Sequence, residues 1–167
     1  VASTWRNHYD RLHLHTAKEL SHLPHLKFPK DYPVYVSRKD VVTYMDEYSN
    51  HFNIKPHFNE EVASIKKENG IWKTTTASNK VWHSDNVVIA TGSNRVPFSP
   101  TWSGFNKYKG FVQHSADFKN GERFKDQDVL IVGMGNTGAE IAIDMQENGA
   151  KTCISVRGPV NIITRDF

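Results

Sequence analysis

The feature that most limits what this chain can become lies near its end. There Asp128-Val129-Leu130-Ile131-Val132 runs straight into Gly133-Met134-Gly135-Asn136-Thr137-Gly138 and on into Ala139-Glu140-Ile141-Ala142. An apolar run without alternation suits a strand covered on both faces. The spacing of the three glycines, G-x-G-x-x-G, supplies three things in order: a tight turn, backbone that a ligand can approach closely, and close packing of helix on strand. A helix is predicted from there to about Asn148, stopped by Gly149 as the first residue past its cap. A further strand is predicted over residues 151–156. Strand, turn, helix and strand within about 30 residues make a βαβ unit whose helix start offers unpaired N–H groups to phosphate.

That pattern is the dinucleotide fingerprint of Rossmann-type folds. Gly133, Gly135 and Gly138, with Asn136 and Thr137 in the first helical turn, are the candidate pyrophosphate ligands. The alternative is a glycine-rich turn inside an ordinary α/β domain. Cofactor choice is decided where the second strand ends, because a carboxylate there would bond the ribose 2′-hydroxyl of NAD. This chain has Ser155-Val156-Arg157-Gly158 instead. Arg157 is suited to a 2′-phosphate, which favours NADPH, and Arg165 is a second, weaker candidate; the alternative for each is an exposed arginine without a role.

The rest of the chain reads in segments. Residues 1–36 hold five histidines between positions 8 and 25 and prolines at 24, 29 and 33, which suggests a short helix and then irregular chain. Residues 37–52 predict a helix: Ser37 with Asp40 can form a capping box, and Val41, Tyr44, Met45, Tyr48 and Phe52 recur at helical spacing. Residues 61–84 predict a β-meander, with Asn69-Gly70 as its first hairpin turn and Ser78-Asn79 as its second. Asn86-Val87-Val88-Ile89-Ala90 predicts another strand buried on both faces, ending in Thr91-Gly92. Residues 93–127 are rich in Pro, Gly, Ser and aromatics and read as a crossover.

With 167 residues, 38% of them hydrophobic, the chain can bury a core. The net charge of +3 is scattered rather than gathered into the patch a nucleic-acid surface needs. No apolar run approaches the roughly 20 residues that span a bilayer. The start has no basic and apolar leader, and a first residue other than Met leaves room for missing chain upstream. The single cysteine, Cys153, reads as small core filler and fits a reducing, cytoplasmic setting. One cysteine cannot supply the redox pair of a flavoprotein disulfide reductase.

Together the motifs resemble the flavin-containing monooxygenases, and most closely their YUCCA-like branch, across essentially the whole chain. Trp5-Arg6-Asn7-His8-Tyr9-Asp10-Arg11-Leu12 looks like the stretch after that family's first FAD-binding βαβ unit. Phe28-Pro29-Lys30-Asp31-Tyr32-Pro33 looks like its FPxxxP region, and Ala90-Thr91-Gly92 like its ATG motif. Residues 108–118 match its FxGxxxHxxx(Y/F) identifier, with Tyr108 in place of the first Phe and His114 as the histidine. His114 reads as structural. The family's first glycine motif, expected about 40 residues before Val1, is absent, so the resemblance implies an internal piece.

The resemblance implies an α/β fold: Rossmann-type FAD- and NADPH-binding domains, both incomplete, with a small antiparallel β-meander. Residues 1–92 would be part of the FAD-binding domain, 93–127 the crossover with the identifier, and 128–167 the first half of the NADPH-binding domain. It implies an FAD- and NADPH-dependent monooxygenase that inserts one oxygen of O2 into a small organic substrate, such as an indole-3-pyruvate-type acid, through a flavin hydroperoxide. By resemblance Trp5 lies beside FAD, Val62 bonds the adenine through its backbone, and Ala90, Thr91 and Gly92 pass near the FAD phosphates. His15 stands where the wider family has the asparagine of Asn-Gly-Pro-Lys-Glu, and is the candidate catalytic residue. His13 and His15 also have H-x-H spacing, but without a cysteine or acidic partner they predict no metal. A non-enzymatic NADPH-binding module and an inactive fragment remain as alternatives.

Overall fold

The structure, a computed structural model, describes residues 1–92 and 96–162. Its contacts divide the chain into two compact units, Val1–Phe52 with Ser99–Phe167, and Asn53–Phe98.

The first unit opens with two short helices, α1 (Ser3–Asn7) and α2 (Lys18–Ser21), and a long one, α3 (Arg38–His51). α3 begins where the capping box predicts. Ser37 Oγ accepts from the Asp40 N–H at 3.2 Å and donates to Asp40 Oδ2 at 2.7 Å, so an otherwise orphaned helical donor is satisfied. Val41 and Tyr44 point inward and form a cluster with Phe28 and Val36. Each such side chain, removed from water, stabilises the fold by about 1.5–3 kcal/mol. The Tyr44 hydroxyl accepts from the Leu23 N–H at 2.8 Å and donates to the Leu26 carbonyl at 2.7 Å. That pair of bonds ties the irregular, histidine- and proline-rich stretch to the helix.

The same unit contains the βαβ element: β4 (Asp128–Val132), α4 (Asn136–Glu147) and β5 (Lys151–Ser155). The two strands are parallel, in register from Asp128 opposite Lys151 to Val132 opposite Ser155. α4 lays Ile141 and Met145 against Val129 and Ile131, and Tyr9, Leu12, Phe118, Phe124 and Ala150 complete this core. The helix stops in a Schellman motif. Gly149 has φ +90°, its N–H donates to the Gln146 carbonyl at 3.0 Å, and the Ala150 N–H reaches the Met145 carbonyl at 2.9 Å.

The second unit is the meander: β1 (Val62–Glu68), β2 (Ile71–Thr76) and β3 (Val81–Ser84), antiparallel in that order. Asn69 and Gly70 both take positive φ, 50° and 86°, as a two-residue type I′ hairpin requires.

Three burial expectations are corrected. β4 and β5 are covered on one face only: Val129 and Ile131 face α4, whereas Leu130 is 65% and Val132 58% exposed. Cys153 lies exposed, so it is not core filler. Alternate residues of a strand point to opposite faces, and the described residues lay a helix on just one of them. Likewise residues 86–90 form no strand; Val88 is 87% and Ile89 74% exposed. A strand exists through ladder bonds to a neighbour, and no neighbouring strand pairs with this one among the described residues.

Candidate functional site

The glycine turn joins the end of β4 to the start of α4. Gly133 has φ +102°, a left-handed conformation that side-chain-bearing residues rarely hold, and its N–H donates to the Ser155 carbonyl at 2.9 Å. Gly138 sits against that turn so closely that a Cβ there would lie 2.1 Å from the Gly133 carbonyl oxygen. Gly135 differs: its φ of −86° is ordinary, and a Cβ on it would project into open space. The three roles assigned from spacing thus separate physically into conformation, access and packing.

Gly135 is the cap residue of α4. No side chain caps the helix, and its first turn carries no acidic residue. The first intrahelical bond around this cap runs from the Ala139 N–H to the Gly135 carbonyl at 3.0 Å. The N–H groups of Asn136, Thr137 and Gly138 lie ahead of it, beside the open side of Gly135. The helix dipole places about half a positive charge at this end. An anion with oxygens to accept these donors, such as a pyrophosphate, fits the residues present. Asn136, Thr137 and Arg157 are all exposed, and Arg157 lies two residues beyond β5, at the same strand-end edge as the turn.

The other candidates are distributed. Trp5 lies half-buried on α1, packed against both core clusters of the first unit, and its ring is 6.3 Å from that of His8. Burial first, then the charges of Lys119 and Arg38, holds the His8 pKa below its usual value. His15 is exposed, in a bend between the His13–Ser37 bridge and α2. Val62, Ala90, Thr91 and Gly92 belong to the second unit. Val62 opens β1 beside an irregularity in its register, and Gly92 has φ +80°. Arg165 lies outside the described residues. His114 caps the 3-10 turn Ser115–Asp117, its Nδ1 accepting from the Ala116 N–H at 3.1 Å. An open cavity of about 290 Å³ is lined by Lys18, Glu19, His22, Lys27, Phe28 and Lys30; it shares no residue with the glycine turn.

Sequence reasoning missed one arrangement. Arg11 donates through Nη1 to Glu140 Oε2 at 2.9 Å, and through Nε and Nη2 to the two Glu147 oxygens, each at 2.9 Å. Glu140 and Asp144 are buried. The hydrogen bond from Arg11 pulls the Glu147 pKa below the carboxylate range, whereas burial pushes that of Asp144 up. The available signal was the i, i+4, i+7 spacing of Glu140, Asp144 and Glu147, one acidic edge beside the apolar stripe.

A parallel strand pair, an open glycine turn and an uncapped helix start define the class: an α/β protein of Rossmann type. The model of the flavin-binding monooxygenase-like family matches residues 4–167. A probable indole-3-pyruvate monooxygenase, YUCCA1 of Arabidopsis thaliana, is 38% identical over 171 residues, covering 100% of this chain and 41% of the relative. In shape the chain is similar to a flavin-containing monooxygenase from Stenotrophomonas maltophilia, with a TM-score of 0.87 at 22% identity over 98% of this chain and 49% of that one. A cyclohexanone monooxygenase from Rhodococcus bound to NADP+ matches at a TM-score of 0.69 and 23% identity over 93% of this chain and 31% of that one. The chain belongs to the flavin-binding monooxygenase-like family. It spans about two-fifths of the length of the curated relatives it matches, 41% for the Arabidopsis protein. Among the described residues no helix is long and apolar enough to cross a membrane.

Proposed function

We propose that this chain is the part of an FAD- and NADPH-dependent monooxygenase that binds the nicotinamide cofactor and contributes to the flavin site. The observation that carries the proposal is the uncapped start of α4 beside the open Gly135, in a chain whose family binds flavin. Gly133, Gly135, Asn136, Thr137 and Gly138 would hold the NADPH pyrophosphate, and Arg157, with Arg165, its 2′-phosphate. Trp5, Val62, Ala90, Thr91 and Gly92 would serve FAD, which divides the labour into residues 1–92 for flavin and 128–167 for nicotinamide. The flavin, when bound, supplies the electron transfer and oxygen activation that no side chain can. Balance requires one NADPH, one proton and one O2 per oxygenated product, with one water released. His15 would stand near the reactive face of the flavin as a hydrogen-bond donor. The substrate would be a small organic molecule, and the named activity of the Arabidopsis relative makes an indole-3-pyruvate-type acid the first to test.

The test is the visible spectrum of the purified protein before and after anaerobic NADPH. A flavin band that bleaches supports the monooxygenase. A colourless protein that still binds NADPH favours the nucleotide-binding module, and one that binds neither cofactor removes the proposal. Arg157→Ala should then erase a preference for NADPH over NADH, worth about 1.5–3 kcal/mol for a charge-assisted contact; a surviving preference would move that role elsewhere.

A further inference from the structure

One side chain, Arg11, carries hydrogen bonds from the N-terminal segment to two turns of the nucleotide helix. Arg11 grips α4 at Glu140 and at Glu147, two turns apart, with all three contacts at 2.9 Å. Two anchor points on a rigid helix fix both its rotation and its axial position, which a single contact would not. The guanidinium suits this because its donors form a planar fork matched to carboxylates. The Glu140 side chain is only 4% exposed and that of Arg11 28%, so the contact is shielded from solvent where it matters most.

The segment that carries Arg11 is itself held firmly. The Asp10 N–H donates to the Lys119 carbonyl at 2.8 Å, and the Leu12 carbonyl accepts from the Arg38 N–H at 2.7 Å. Arg38 Nη2 also reaches Asp10 Oδ1 at 2.9 Å. Tyr9 and Leu12 sit in the core beneath α4. Gly121 approaches α4 so closely that a Cβ on it would lie 2.7 Å from the Asp144 carbonyl oxygen. α4 therefore cannot drift toward the crossover, and Arg11 sets where along that wall it rests.

We infer that Arg11 is a positioning residue: it fixes α4, and with it the glycine turn, relative to the segment that carries Trp5 and Tyr9. The inference rests on the monooxygenase reading, in which those two places serve the nicotinamide and the flavin. Nicotinamide reach then depends on a contact that touches neither cofactor, and a misplacement of about 1 Å can cost 100-fold in rate.

Arg11→Met keeps the length and apolar stem but removes the fork; Arg11→Lys keeps the charge. Both are made in the full-length flavoprotein. Three quantities are read: amide hydrogen exchange of residues 136–147 against 38–51, the NADP+ dissociation constant, and the rate of flavin bleaching at saturating NADPH. For Arg11→Met the expected result is faster exchange in α4 alone, NADP+ affinity within about threefold of the parent, and bleaching slowed about 10- to 100-fold. Arg11→Lys should recover part of that rate. Bleaching within twofold of the parent would overturn the inference, whatever the exchange does, because Arg11 would then be merely structural. If even the unsubstituted flavoprotein fails to bleach, the monooxygenase reading fails; the positioning of α4 is then judged on exchange alone, and unchanged exchange overturns it.

Discussion

α3 and α4 are the two long helices of one unit, and they begin in opposite ways. α3 is closed by its own sequence: Ser37 accepts from the Asp40 N–H, and Asp40 adds a negative charge to the first turn. α4 has a glycine at the cap, no capping side chain and no acid in its first turn. Both starts present the same orphaned donors and the same dipole. What differs is who satisfies them. In α3 the chain does, and the benefit is stability. In α4 no side chain does; on the proposed reading a ligand takes that place, and the helix is held by packing and by Arg11 from outside. A helix start without a side-chain cap must draw its stability from elsewhere in the fold.

The comparison breaks most sharply at Gly135. Alanine there fits the backbone and meets no neighbour, so Gly135→Ala should leave the melting temperature unchanged. Its methyl group would occupy the space proposed for the pyrophosphate, and losing contacts of about 3 kcal/mol to a charged group should weaken NADPH roughly 100-fold. Titration of both proteins with NADPH checks this. Unchanged affinity would remove the phosphate loop from this turn. Gly138→Ala should do the reverse of Gly135→Ala in its first effect. Its Cβ would meet the Gly133 carbonyl oxygen at 2.1 Å, and overpacking of that kind costs about 1–3 kcal/mol. Thermal unfolding should show a clear drop before any ligand is added. A Gly138→Ala protein as stable as the parent would mean that the turn yields.

At the closed helix the expected effect is smaller and purely structural. Ser37→Ala should cost about 1 kcal/mol, or a few degrees in melting temperature for a chain of this size. NADPH affinity should not change. If Ser37→Ala weakened the nucleotide as well, the two helix starts would be coupled and their contrast lost.

What could be read from sequence follows the range of the interactions. The Ser37–Asp40 cap, the Asn69-Gly70 hairpin and the glycine turn are made by residues within a few positions of each other, and periodicity or turn chemistry announces them. At 86–90 and at Cys153 the structure departs from the sequence expectation for one reason: ladder partners and the cover over a face come from the rest of the fold, not from the segment itself. The placement of Val88 and Leu130 in solvent could not be seen in their apolar character. Arg11 was invisible for the same cause, since its partner Glu140 is 129 positions away in the chain. The acidic edge at Glu140, Asp144 and Glu147 was legible as spacing, but not the cation that answers it. The flavin roles proposed for Val62 and Thr91 rest on family resemblance rather than on any local pattern.

The smallest expected effect sharpens how α4 is held. Asp144 is buried, and one oxygen, Oδ1, accepts from Asn148 Nδ2 at 3.1 Å, while Oδ2 has no hydrogen-bond partner. Burial raises its pKa; the Arg11 charge and the Gly121 backbone N–H oppose this, and Glu147 and Asp10 add to it. The folded protein therefore binds the Asp144 proton more tightly than the unfolded chain does. Between the unfolded carboxyl value, about 3.9, and the raised folded value, stability from this group is lost as pH rises. Asp144→Asn cannot ionise, so it lacks that loss. Its amide brings a cost of its own at the unpartnered Oδ2 position, but that cost is independent of pH. The melting temperature of Asp144→Asn minus that of the parent should thus climb between pH 4 and pH 7, by about 1–2 °C for a fraction of a kcal/mol. A flat or falling difference would mean that the attraction of Arg11 outweighs desolvation, so that the folded protein holds Asp144 charged.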